Sequence, residues 1–333
     1  MSMVAAIAVV LIHAGNGGMG SSVAKVMHQF FGWGLCTFAV PWFFFASGYF
    51  FAGHLDKPGW WRQAVLKRGK TILLPYVIWC GTYMCLSIGV DMLSNVRVGK
   101  ELMYNQSLWS WFCAGLGLDV SQHPLLVPFW YIRTLMLIVA LSPILVYAIR
   151  KLRWYVPLAM MPPYIFCCGM HDRYAMPWFI FYSLFSLTGY IYFSVGVLAR
   201  LDKWEQRRWH MPTWILWAAA LPTICIGRLA LYNRLPMVAN TLWLFAIPIL
   251  LLGVWRLIPN RAWPRWFVAA AFPVYAVHYF VERALESTVL PISHPAWWAY
   301  ILRFVCAVIF SLCVAVLSRH CFPRIASILW GGR

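Results

Sequence analysis

Apolar residues run in ten stretches along the 333-residue chain, at 3–14, 34–54, 71–90, 128–149, 155–169, 177–199, 213–231, 237–255, 266–290 and 297–318. A helix needs about 20 apolar residues to cross the hydrocarbon core, so the pattern predicts an all-α integral membrane protein with about ten transmembrane helices. The first and fifth stretches are short. No polar linker, low-complexity run or internal repeat interrupts the series, and a single transmembrane domain over residues 1–333 is expected. The first stretch lacks a basic leader and a small-residue cleavage site, which makes it a retained span. Composition agrees with the pattern: 62% of residues are hydrophobic and 11% charged, too little polar surface to cover a soluble globule of this size.

Charge then orients the spans. Loops 55–70, 150–154, 200–212 and 256–265 and the tail 319–333 carry eighteen Lys and Arg, against seven in the alternating segments. By the positive-inside rule both termini are cytoplasmic. The net charge of +18 therefore describes topology and contact with anionic lipids, and nucleic acid is not an expected partner. The longest loop, 91–127, falls on the outer side and contains "LWSWFCAGLGL", an amphipathic segment suited to the membrane surface or to covering a cavity. The ten cysteines are scattered through apolar runs without a zinc spacing. They read as small buried hydrophobes, and no metal is expected.

Polar groups inside apolar spans need a partner, a cavity or a function. His13 ends the first run, "AAIAVVLIHAGNGG". Arg133 lies one turn into the fourth, where it either snorkels to the interface or serves a site. His278, Glu282 and Glu286 in "FPVYAVHYFVERALES" share one helical face. They read either as a backbone-bonded histidine above a wet helix end or as part of a site. Lys67, Arg68 and Lys70 stand directly before the third span. A topogenic cluster and a clamp for a polyanionic cytosolic ligand both use such residues, and phosphates suit the clamp.

Five motifs in register resemble the acyltransferase family 3 membrane proteins, the O-acyltransferases of bacterial surface glycans. They are "AVVLIHA" at His13, "VPWFFFASGYFF" with Ser47, Gly48 and Tyr49, "KRGKTILLPYVIW", "FWYIRTL" with Arg133, and "VYAVHYF" with His278. The resemblance covers nearly the whole chain. It implies a multi-pass protein of the bacterial cytoplasmic (inner) membrane that moves an acyl group, acetyl or another short acyl, from acyl-CoA to a sugar hydroxyl of an exported polysaccharide or lipid-linked glycan. Acetyl-CoA or another short acyl-CoA would be co-substrate, with no bound cofactor.

On this reading His13 is the catalytic base, since an imidazole can take the proton of a sugar hydroxyl as it attacks the acyl carbonyl; a transient acyl-imidazole is the other role. Lys67, Arg68 and Lys70 would bind acyl-CoA, and Ser47, Gly48, Tyr49, Arg133, His278 and Glu282 would line the site. The family places a basic residue about eleven positions before the histidine, where this chain has Ser2. Two expectations follow: a native start upstream of Met1, or a divergent or inactive protein. A non-enzymatic glycan or lipid carrier, or flippase, would share the composition but need not bind acyl-CoA.

Overall fold

In a computed structural model, residues 1–15, 22–94, 113, 126–174, 186–206, 212–225, 235–257, 263–288 and 297–332 are described, and every regular element among them is helical. Helix α1 (Ser2–His13) comes first. Then α2 (Ser22–Met27) passes through a π-turn (His28–Gly32) and a 3₁₀ turn (Leu35–Phe38) into α3 (Ala39–Ala52). Likewise α4 (Trp60–Arg68) passes through a second π-turn (Gly69–Leu73) into α5 (Leu74–Ser94). There follow α6 (Trp130–Ala140), α7 (Ser142–Leu152), α8 (Tyr155–Tyr174), α9 (Leu187–Leu201), α10 (Thr213–Cys225), α11 (Pro236–Leu257), α12 (Arg265–Ala269), α13 (Ala271–Thr288), α14 (Trp297–Cys321) and α15 (Pro323–Leu329).

Side-chain placement on α14 reverses that of a water-soluble helix. Its inner face is Ala299, Arg303, Ala307, Ser311 and Ala315, one residue every fourth, all buried, while Ile309, Phe310, Val316 and Leu317 face outward. Small and polar residues inside with large apolar ones outside are what lipid as solvent selects. Helices α1 and α13 occupy the interior. α1 buries Met3, Ala5, Ala6, Ala8, Val9, Val10 and Ile12, and α13 is buried throughout 271–278. They pack against each other, and α13 also packs along α14. Over residues 3–12 and 271–277 the two helices carry almost only apolar side chains, as interior segments do.

A second contact holds α3 to α9 at backbone distance. A Cβ on Gly48 would lie 2.1 Å from the Phe193 carbonyl oxygen, and one on Gly196 would lie 2.1 Å from that of Phe45. Each glycine lets the partner backbone in, so the two helices lock reciprocally. The "SGY" stretch is thus a packing element before it is anything else.

The described residues contain three helical stretches long and apolar enough to cross a membrane, Val23–Ala52, Trp60–Gly89 and Trp297–Cys321. A fourth is the pair Val127–Ala140 and Ser142–Leu152, bent by 70°; Pro143 follows the break and cannot supply the N–H a straight helix needs there. The expected loop at 15–33 is corrected, since helix resumes at Ser22 and runs on into the next span. Turn chemistry ends at Gly20, and no Gly or Pro interrupts residues 21–31. The reading of the cysteines as buried also needs correction. Among the described ones Cys80 is buried, whereas Cys85, Cys313 and Cys321 are exposed, on apolar helices where lipid replaces water. The "LWSWFCAGLGL" segment, apart from Cys113, and parts of the expected spans 177–199 and 213–231 lie outside the described residues.

Segments from several basic loops meet at one end of the bundle. Arg150 pairs with Asp56 at 3.5 Å, Arg153 pairs with Asp202, and Arg200 donates to the Tyr49 hydroxyl at 3.0 Å. The C-terminal segment docks there as well: Trp330 stacks on Trp79 with centroids 5.2 Å apart, and Gly331 lies against the Thr71 backbone.

Candidate active site

A cavity of about 630 Å³ opens at this basic end, within the range of small-molecule sites. Its exposed part carries Lys57, Gln63 and Lys67 together with Phe50 and His54. Its inner part is apolar and buried, with Ile132 1%, Leu135 2% and Tyr275 4% exposed. Between the two sits Arg68, whose guanidinium lies 5.2 Å from the centre of the Phe51 ring and donates to the Ser47 carbonyl at 3.5 Å. The Ser47 hydroxyl is 3.2 Å from that of Tyr131. Lys67 and Arg68 close α4 immediately before a π-turn, a distortion that often accompanies functional sites. The Thr71 hydroxyl donates to the Lys67 carbonyl at 3.0 Å across that turn.

Ser2 also lines this cavity, so α1 begins beside it and, at 1.5 Å per residue, carries His13 about 16 Å farther along the bundle. There the His13 ring is 5.6 Å from that of His278 and 5.8 Å from that of Tyr279. Two side chains satisfy the last carbonyls of α1, which have no partner within the helix. The Tyr300 hydroxyl donates to Leu11 at 3.2 Å and His28 Nε2 to Ile12 at 2.8 Å. His278 Nδ1 lies 3.1 Å from the Val274 carbonyl. A carbonyl can only accept, so Nδ1 bears the proton and Nε2 presents its lone pair. Beside His13, a space of about 20 Å³ is lined by Ala14, Tyr279, Glu282, Arg283, Glu286 and Arg303. Arg283 and Glu286 pair at 2.6 Å.

Side chains of α13 lie between the two regions. Tyr275 lines the large cavity, its ring centre is 6.2 Å from that of His278, and His278 is the neighbour of His13. Tyr275 is fixed by a hydrogen bond from its hydroxyl to the Pro128 carbonyl and by stacking on Phe129 at 5.6 Å.

Of the residues singled out in the sequence, Lys67, Arg68 and Ser47 share the large cavity, whereas His13 and Glu282 share the small space. Lys70 is exposed and lines neither. Gly48 faces the Phe193 backbone, and Tyr49 meets Arg200. Arg133 acts electrostatically on Tyr76 and Cys80, outside both. Sequence reasoning passed over Arg303 and His28. Arg303, 2% exposed in an apolar span, carried the same signal that marked Arg133.

The family model described as "Acyltransferase domain", that of acyltransferase family 3, matches residues 3–320. The chain belongs to acyltransferase family 3. No curated protein and no solved structure matches it. For this membrane acyltransferase, the match spans both the cationic cavity and the histidine end of α1.

Proposed function

We propose that this protein is an O-acyltransferase, and specifically an O-acetyltransferase, that takes its acyl group from acyl-CoA in the cytosol and delivers it to a sugar hydroxyl of an exported or lipid-linked glycan. The observation that carries the reading is the graded cavity, cationic where it opens and apolar where it ends, one turn of α13 from the His13 pair. A coenzyme A thioester has the same polarity profile, with phosphates at one end and an acyl-pantetheine arm at the other. Lys67 and Arg68 bind phosphate, and the arm runs inward past Tyr275. His13 accepts the proton of the sugar hydroxyl as its oxygen attacks the thioester carbonyl. The C–S bond breaks, and the leaving thiolate takes the proton back from the imidazolium. In this reading the chain makes about ten membrane crossings in the bacterial inner membrane with both termini cytoplasmic, and glycan, acyl-CoA and membrane lipids are its partners. Mutual contact among the basic segments around Asp56, Asp202 and Trp330 supports that orientation.

The test compares two donors. Lys67→Gln with Arg68→Gln should weaken acetyl-CoA binding at least about tenfold, the scale of lost charge-assisted hydrogen bonds, and leave acetyl-pantetheine unaffected. Lys70→Gln, off the cavity, should change neither. Equal weakening of both donors at normal membrane yield would overturn the assignment.

A further inference from the structure

Glu282 is 4% exposed, and among the described residues neither carboxylate oxygen has a hydrogen-bond partner. A buried carboxylate in that condition is costly unless something hydrogen-bonds it. Glu282 and His13 both line the 20 Å³ space, which exceeds the volume needed for one water-sized group and is too small for a sugar ring. Such a space receives a single hydroxyl. The lining is formally balanced, with two arginines, Arg283 and Arg303, against two glutamates, Glu282 and Glu286, and Arg283 is paired with Glu286. An acceptor bearing its own charge would bring an ion that nothing there neutralises, in surroundings where an unpaired ion is strongly disfavoured.

We infer that Glu282 and Arg303 form the acceptor subsite, in which the Glu282 carboxylate accepts a hydrogen bond from a hydroxyl of an uncharged sugar and holds it at His13. The inference rests on the proposed transferase reading and names its acceptor class: neutral glycosyl units, in preference to uronates or amino sugars. Glu282 supplies the hydrogen-bond acceptor, Arg303 sets a cation beside it, and the phosphates of acyl-CoA stay in the cationic mouth of the large cavity at the other end of α1.

The experiment uses the full chain in lipid nanodiscs with acetyl-CoA as donor and three acceptors: methyl glucoside, methyl glucuronide and methyl glucosaminide. The unaltered protein should acetylate the neutral glycoside best. Glu282→Gln should raise the acceptor KM about tenfold, the scale of a lost hydrogen bond to a charged group, with the donor KM unchanged. It should also narrow the preference for glucoside over glucuronide, a change that a purely structural role would not produce. Glu282→Asp, keeping the charge, should retain that preference, and saturable acetyl-CoA binding reports that each variant is folded. Preference and acceptor KM unaltered in folded Glu282→Gln would overturn the subsite while leaving the transferase standing. A glucuronide preferred by the unaltered protein would do the same. Absence of both acetyl-CoA binding and transfer in the unaltered protein would overturn the transferase reading, and the subsite with it.

Discussion

His13 gains its setting from its neighbours. Tyr300 and His28 bind the two carbonyls that precede it, and His278 and Tyr279 flank its ring. A helix end fixed in this way leaves the imidazole little freedom except at its own rotamer, which suits a base that must meet a hydroxyl at one point. His13→Ala should therefore lower acyl transfer by about 10²–10⁴-fold, the usual contribution of a general base. Acetyl-CoA binding should persist, because Lys67 and Arg68, the proposed phosphate contacts, lie at the opposite end of α1 from His13. Steady-state transfer and equilibrium donor binding on the same preparation check both halves; transfer at the parent rate would remove His13 from the chemistry. Much of this was legible in the sequence, because a histidine closing an apolar run violates the pattern around it. His278 was legible for the same reason, and its bond to Val274 matches the backbone-bonded reading of that residue. Arg303 stands between Leu302 and Phe304, and a pattern that breaks for a single residue is easily absorbed into the span. Its place beside Glu282 in the small space depends on how α13 and α14 pack, a relation no local pattern carries.

At the scale of elements, the helices that hold the site are set by small residues. α14 presents Ala, Ser and Arg every fourth position to α13, and α3 meets α9 through Gly48 and Gly196. The second contact matters for the donor cavity, since Ser47 and Phe51 on α3 hold Arg68. Gly196→Ala would put a methyl group 2.1 Å from the Phe45 carbonyl oxygen, and backbone cannot rotate away as a side chain can. The two helices must separate, at a cost of about 1–3 kcal/mol, typical of overpacking. Thermal unfolding in detergent should show a lowered midpoint for Gly196→Ala and Gly48→Ala. Gly81→Ala, where the added methyl meets nothing within 4 Å, should be neutral or slightly stabilised by helix propensity. Equal midpoints for all three would refute the locking role. Gly48 was visible in the sequence as part of a motif while its purpose was not, and Gly196 was not singled out, because each touches a backbone far away along the chain. Helix boundaries were legible only in part. Apolar runs mark what lipid or core surrounds, so a run can continue through a π-turn, as at His28–Gly32, or bend at a proline, as after Leu141, without any change of composition.

Over the whole molecule, the α1 axis separates two chemistries. Cations, the exposed cavity mouth, the C-terminal Trp330 and the Asp56 and Asp202 ion pairs gather at the Ser2 end; histidines, Glu282 and Arg303 gather at the His13 end. Separation of this kind is what a donor from one compartment and an acceptor from another would require. On the proposed reading, the count of eighteen basic residues against seven puts the Ser2 end on the cytoplasmic side. The contacts among 55–70, 150–154, 200–206 and the tail are what that assignment demands of loops on one side. A single cysteine introduced at Gln206 should accordingly resist an impermeant maleimide in intact cells and react once the membrane is permeabilised. One at Ser121, in the long loop outside the described residues, should react in both. Labelling is read against the parent chain, whose own exposed thiols at Cys85, Cys313 and Cys321 lie on apolar helices. Reaction at Gln206 in intact cells would invert the protein, carry the cationic cavity to the outer face, and remove cytosolic acyl-CoA as its donor.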